Sequence, residues 1–173
     1  MGAGSERSIR DVAERGFNLL LGQYASPDDV AQSIAVFKAV VEAKGRRYDP
    51  MQVGVTRAFF VTDSVPERDA ALDRRLQNRL RQLKLATTPD GTVHGGPDRA
   101  TGDPRAVNVN SAIYGNPDEI EGKLEALQRV GVGYVLINGG GSGGGERGRQ
   151  SMRRFAGEVM PRFADLASAQ AAD

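Results

Sequence analysis

The chain has 173 residues, 39% of them hydrophobic and 26% charged, with 23 Lys plus Arg against 22 Asp plus Glu for a net charge of +1. That balance fits one globular domain and gives no electrostatic case for nucleic acid or an acidic membrane surface. The absence of cysteine and the single histidine exclude disulfides, thiolate metal sites and multi-histidine metal sites, and no run approaches the ~20 apolar residues of a membrane-spanning helix.

In chain order, residues 8–15 predict a short helix capped by Ser5 or Ser8 and closed by Gly16. Phe17 to Leu21 is a short apolar run of the kind buried in a parallel sheet. Ser26-Pro27-Asp28-Asp29 opens a helix, with a capping serine, proline in the first turn and acids at the positive dipole end. Val30, Ile34, Phe37, Val40 and Val41 give it an apolar face. Met51 to Thr62 predicts the clearest strand, and its period of two puts Arg57 among Val53, Val55, Phe59 and Val61.

A highly charged helix follows to about Leu85, with Ala70, Leu72, Leu76, Leu80 and Leu83 as its expected apolar stripe and the arginines from Arg74 to Arg81 on the solvated side. Residues 86–110 are rich in Gly, Pro, Asp, Asn and Thr and keep no periodicity, as expected of a functional or disordered loop. Asn116-Pro117-Asp118-Glu119 starts another helix, Tyr134 to Asn138 reads as a third strand, a glycine run spans 139–145, and a last helix runs from about Arg149 to Ala167. Short apolar strands alternating with amphipathic helices imply parallel βαβ units with right-handed crossovers.

Four segments carry a resemblance. Gly4-Ser5-Glu6-Arg7-Ser8-Ile9-Arg10 with Ala13-Glu14-Arg15-Gly16, then Ile113-Tyr114-Gly115-Asn116-Pro117-Asp118-Glu119-Ile120, then Gly131-Val132-Gly133-Tyr134-Val135-Leu136, and last Phe155 to Phe163 stand in an order and spacing similar to the luciferase-like flavin-dependent monooxygenases. Asn116 replaces the threonine usual in that family, and either residue caps a helix. The resemblance implies an α/β fold, a partial (βα)8 TIM barrel in which residues 1–173 match the second half, with 86–112 in the position of a mobile insertion that closes over the active site. It implies a flavin-dependent oxidoreductase that uses reduced FMN, or alternatively F420, on a small organic substrate in the cytoplasm, without metal, membrane or nucleic acid. It also implies an incomplete isolated chain that self-associates or pairs with a missing N-terminal half, where most catalytic residues would lie.

Within that resemblance, the loop before the first helix is similar to one that binds the FMN phosphate, which singles out Gly4, Ser5 and Ser8. Free N–H groups and the dipole at a helix start favour an anion there; the plainer reading is a helix cap and nothing more. Arg57, mid-strand among apolar neighbours, is expected either to contact flavin or substrate or to form a structural ion pair. The glycine run lacks the lysine of a P-loop and reads as a connector or a weak phosphate contact, and His94 reads as a solvated side chain. The alternative to an enzyme segment is a non-catalytic module, derived from the same barrel, that holds a phosphate-bearing ligand or serves as a partner subunit.

Overall fold

The computed structural model describes residues 1–90, 103–139 and 145–164. Residues 140–144 of the glycine run, His94, the middle of the 86–112 insertion and residues 165–167 of the expected last helix lie outside the described residues. The elements in chain order are α1 (Glu6–Glu14), β1 (Leu19–Leu21), α2 (Pro27–Ala43), a 3₁₀ turn at Pro50–Gln52, β2 (Val53–Val61), α3 (Val65–Ala86), α4 (Pro104–Ser111), β3 (Ile113–Gly115), α5 (Pro117–Arg129), β4 (Tyr134–Asn138) and α6 (Gly145–Arg154), which runs on through irregular turns to Phe163. No described helix is long and apolar enough to cross a membrane.

All strand pairings are parallel. β2 is the centre: Leu19–Leu21 of β1 pairs with Val53–Val55, Tyr134–Asn138 of β4 pairs with Gly54–Ala58, and Ile113–Gly115 of β3 pairs with Phe59–Val61. Because β1 and β4 both meet Gly54 and Val55, they flank β2 on opposite edges. Residues 1–3 run parallel beside β1, with a bridge between Gly2 and Leu20 and a bond from Ala3 N–H to the Leu20 carbonyl. The array from residues 1–3 through β1 and β2 to β4, with helices between, is the parallel arc of a (βα)8 barrel, as expected from the sequence.

The two faces of the sheet have different fates. Val53, Val55, Phe59 and Val61 face the helices and pack with Val30, Ile34, Phe37 and Val41 of α2, Ile120 and Leu127 of α5, and Phe155 and Val159 after α6. Each such fully buried side chain contributes about 1.5–3 kcal/mol of transfer free energy. Ser151 Oγ, buried on α6, accepts from the Val61 N–H at 2.8 Å and so fastens α6 to the end of β2. The alternate residues Gly54, Thr56, Ala58 and Phe60 form the inner face, in register with Tyr134, Leu136 and Asn138 of β4. Gly54 leaves space for the Tyr134 ring, which a Cβ would meet at 2.2 Å.

Three readings of the sequence change. First, α4 interrupts the stretch expected to be structureless, and β3 follows it as a strand the sequence did not show. Asp103 caps α4 by accepting from Arg105 and Ala106 N–H, Pro104 sits in its first turn, and β3 is only three residues long. Second, α3 is rotated by about one residue. Its buried side is Ala71, Arg75, Leu76 and Arg79, while Leu80 is 40% exposed; two of the arginines expected in solvent are therefore inside. Third, α1 begins at Glu6 and α6 at Gly145, both earlier than periodicity alone predicts.

Candidate functional site

The loop from Gly2 to Ser5 leads from the short parallel segment beside β1 into the N-terminus of α1. Ser5 is the cap, and a reciprocal box joins it to Ser8. The bonds converge on one atom: Ser8 Oγ accepts from Ser5 N–H at 3.0 Å, from Gly4 N–H at 3.3 Å and from the Ser5 hydroxyl at 3.0 Å. Its own proton goes to the Ser5 carbonyl at 2.8 Å. Three donors aimed at one oxygen, at the positive end of a helix dipole, are the arrangement that an anionic oxygen can take over. Nothing lies within 4 Å of a Cβ built at Gly4, so the loop is open on that side.

This loop forms one wall of a cleft of about 250 Å³ that also touches Glu6, Leu21, Gly22, Ala25 and Asp29. Both carboxylates there are engaged. Glu6 receives the Arg10 guanidinium at 2.8 Å, and Asp29 accepts from Ser26 N–H and Oγ in the α2 capping box. Their engagement moderates the repulsion that an entering anion would meet.

Arg57 stands behind the opposite wall. It is 2% exposed and lies on the helix-facing side of β2. Its Nη1 donates to the Gly22 and Thr56 carbonyls, each at 3.0 Å, and its Nη2 donates to the Ala25 carbonyl at 2.7 Å. The guanidinium thus holds the loop after β1 in place. Gly4, Ser5 and Ser8 come together in one site, and Arg57 reaches that cleft through Gly22 and Ala25, two of its lining residues.

Two further features lie outside this cleft, and the first was not foreseen. Arg75 and Arg79 cluster with Tyr24 and Tyr114 beside the inner side of the sheet. Their signal was a spacing of four from Ala71, one residue out of phase with the leucines. On the helix side of β4, an apolar groove of about 1070 Å³ runs between Leu124, Leu127, Val135, Ile137, Met160 and Phe163. No described strand pairs the outer edge of β4, and Leu136 on its inner face is 47% exposed.

Comparison with known proteins gives a consistent picture. The sequence profile of the family described as luciferase-like monooxygenase matches residues 1–133, whereas no curated protein sequence matches. Among solved structures, the monooxygenase RslO1 from Streptomyces bottropensis is 16% identical with a TM-score of 0.64, covering 94% of this chain and 47% of its own. The oxygenating constituent of 3,6-diketocamphane monooxygenase from Pseudomonas putida, solved in complex with FMN, is 20% identical with a TM-score of 0.60, covering 92% and 47%. The coenzyme F420-dependent tetrahydromethanopterin reductase from Methanopyrus kandleri is 17% identical with a TM-score of 0.61, covering 94% and 50%. The chain therefore spans about half the length of these structures.

Proposed function

The chain belongs to the luciferase-like monooxygenase family, and from that premise we propose that it supplies the phosphate-holding half of a flavin-dependent (βα)8 oxidoreductase acting on a small organic substrate. The observation that carries this reading is the convergence of the Gly4 and Ser5 N–H groups and the Ser5 hydroxyl on Ser8 Oγ, beside a cleft that Ala3 and Gly4 line. A phosphate oxygen in that position takes the two N–H bonds, and both hydroxyls rotate to donate to it. Arg57 acts by positioning, since it fixes the Gly22–Ala25 wall.

FMN is the proposed cofactor and F420 the alternative: reduced FMN supplies oxygen activation, and F420 supplies hydride transfer. The similar structures include both an FMN complex and an F420-dependent reductase, and titration with each cofactor separates the two. No side chain here is assigned to the chemical step. The 86–112 segment, which follows the strand end at Val61 and helix α3, is the proposed cover that excludes water from the reacting flavin. A cysteine-free chain is in keeping with work in the cytoplasm.

The β4 edge that no described strand pairs, the half-exposed Leu136 and the adjacent apolar groove are surfaces that a closed barrel buries. They support pairing with a complementary half barrel or with a second copy. Size-exclusion chromatography with light scattering tests this, and a monomer that resists dilution refutes it.

The test of the cofactor reading is titration of FMN followed by flavin fluorescence and calorimetry, on the wild type and on Ser5→Ala and Ser8→Ala. Micromolar binding that weakens by ~10-fold or more in each variant, equivalent to at least one charge-assisted hydrogen bond, supports it. Absence of binding at millimolar FMN, or equal affinity in Ser8→Ala, overturns it.

A further inference from the structure

On the inner side of the sheet, a second cationic cluster lies away from the Ser5–Ser8 loop. It brings together Tyr24 after β1, Arg75 and Arg79 on consecutive turns of α3, Asn108 and Ser111 on α4, and Tyr114 on β3. The guanidinium carbons of Arg75 and Arg79 lie 4.3 and 4.2 Å from the centre of the Tyr24 ring, close enough for cation–π attraction. Phe60 packs edge-on against Tyr114, and Ala58, Ala71 and Ala112 complete the apolar surround.

The two arginines are treated differently by their surroundings. Arg75 is held by neutral oxygens: Asn108 O and Oδ1 at 2.9 and 2.6 Å, Ser111 Oγ at 3.3 Å and the Gln23 carbonyl at 3.1 Å. Arg79 is only 4% exposed, yet its Nη1 has no hydrogen-bond partner. The neighbouring carboxylates on α3 are committed elsewhere, Asp73 to Arg105 and Asp69 to Arg68. The buried hydroxyl of Tyr114, 1% exposed, also lacks a partner. Burial pushes its pKa up to about 12, so it remains a donor at neutral pH. A guanidinium always carries its charge and presents a fork of donors, and buried charges are ordinarily paired.

We propose that Arg79, stacked on Tyr24, is the anchor of a second anion site that receives an oxyanion group, a carboxylate, sulfonate or phosphate, of a small ligand. The site lies beside the C-terminal ends of β1 and β2, the end of the sheet where barrel enzymes bind their substrates. The buried face of α3 ends at Arg79; Leu83 one turn on is half-buried and Leu85 is exposed, so the approach is from that end of the helix. Arg75 cannot substitute for it, because its Nη1 is already engaged with three acceptors of α4. The inference rests on α3 and Tyr24 and is independent of flavin binding.

The test is thermal unfolding of the full chain at constant ionic strength, in chloride and then with acetate, methanesulfonate or inorganic phosphate exchanged for it. The wild type gains about 5–10 °C in Tm at a ligand concentration about a hundredfold over Kd. Arg79→Met has an equal or higher Tm in chloride, since it removes an unpaired buried charge, and keeps only the small general effect of excluded salts. The same Arg79-dependent gain persists in Ser8→Ala, which separates this site from the phosphate loop. A lower Tm of Arg79→Met in chloride together with an undiminished anion gain overturns the proposal. Nitrogen-15 spectra of the wild type give a second readout: the Arg79 guanidinium resonances shift and saturate with methanesulfonate, and their failure to move overturns it as well.

Discussion

Gly133 is a position where one added methyl group meets backbone rather than a flexible side chain. It precedes β4, and its N–H donates to the Val53 carbonyl at 3.0 Å, which sets the start of the β2–β4 ladder. A Cβ there would lie 2.3 Å from the Pro50 oxygen, 2.5 Å from the Pro50 carbonyl carbon and 2.6 Å from the Met51 nitrogen. All three are backbone atoms of the 3₁₀ turn that Asp49 caps by accepting from Met51 N–H at 2.8 Å. Non-bonded carbon contacts are comfortable near ~3.5 Å, so Gly133→Ala must move β4 or the turn by about 1 Å. Overpacking of this size costs about 3 kcal/mol, which for a chain of this length lowers Tm by roughly 6–12 °C. Gly122 is the control, exposed on α5 with nothing within 4 Å of a built Cβ. There alanine stabilises by about 0.5–1 kcal/mol through helix propensity and a less free unfolded chain. Urea unfolding followed by circular dichroism measures both. A Gly133→Ala stability within ~0.5 kcal/mol of wild type refutes the close approach of β4 to the turn.

Tyr114→Phe is expected to be neutral or stabilising at pH 7, because the hydroxyl it removes has no partner. The pKa of Tyr114 is raised by burial to about 12 from 10.0, so its contribution is complete below pH 10 and lost as pH climbs from 10 to 12. Wild type should therefore lose on the order of 2–3 kcal/mol more than Tyr114→Phe across that window, read from urea midpoints with phenolate absorbance as the monitor; parallel curves refute the shift. Arg57→Met removes the donors to Gly22, Thr56 and Ala25 and is expected to lose on the order of 3 kcal/mol. It should also weaken FMN binding, with Arg57→Lys recovering only part because an ammonium lacks the planar fork; unchanged FMN affinity in a folded Arg57→Met removes its positioning role.

Much of the fold was legible because its signals are local. Ser26-Pro27-Asp28-Asp29 and Asn116-Pro117-Asp118-Glu119 both become capping boxes with proline in the first turn. The period of two in Val53 to Val61 becomes the central strand. β3 was not legible, because its three residues are held by tertiary contacts: the ladder to Phe59–Val61, and Lys123 Nζ donating to the Ala112 and Tyr114 carbonyls at 3.1 and 2.8 Å. The burial of Arg75 and Arg79 was hidden for a related reason. Hydropathy assigns arginine to solvent, but a guanidinium can be buried where an aromatic face and carbonyl oxygens receive it, and those come from Tyr24, Gln23 and Asn108, distant in sequence.

The proposed phosphate loop was singled out by the family resemblance, and Arg57 shows what residue types leave out. Period two correctly put Arg57 on the face of Val53, Val55, Phe59 and Val61, but the pattern does not say which face of a parallel strand looks into a barrel. Both faces of β2 are apolar, since the helices cover one and the barrel interior covers the other. The packing of Val53 and Phe59 against α2 and α6 decides it, and Arg57 is turned toward the helices. The residues on the inner face are therefore the alternate set, Gly54, Thr56, Ala58 and Phe60, small up to Ala58 and bulky only at Phe60, which packs with Ala71 of α3. The space at the small end is taken by the Tyr134 ring, which lies over Gly54, while Tyr24, Arg75 and Arg79 stack together on the side where Phe60 meets Tyr114.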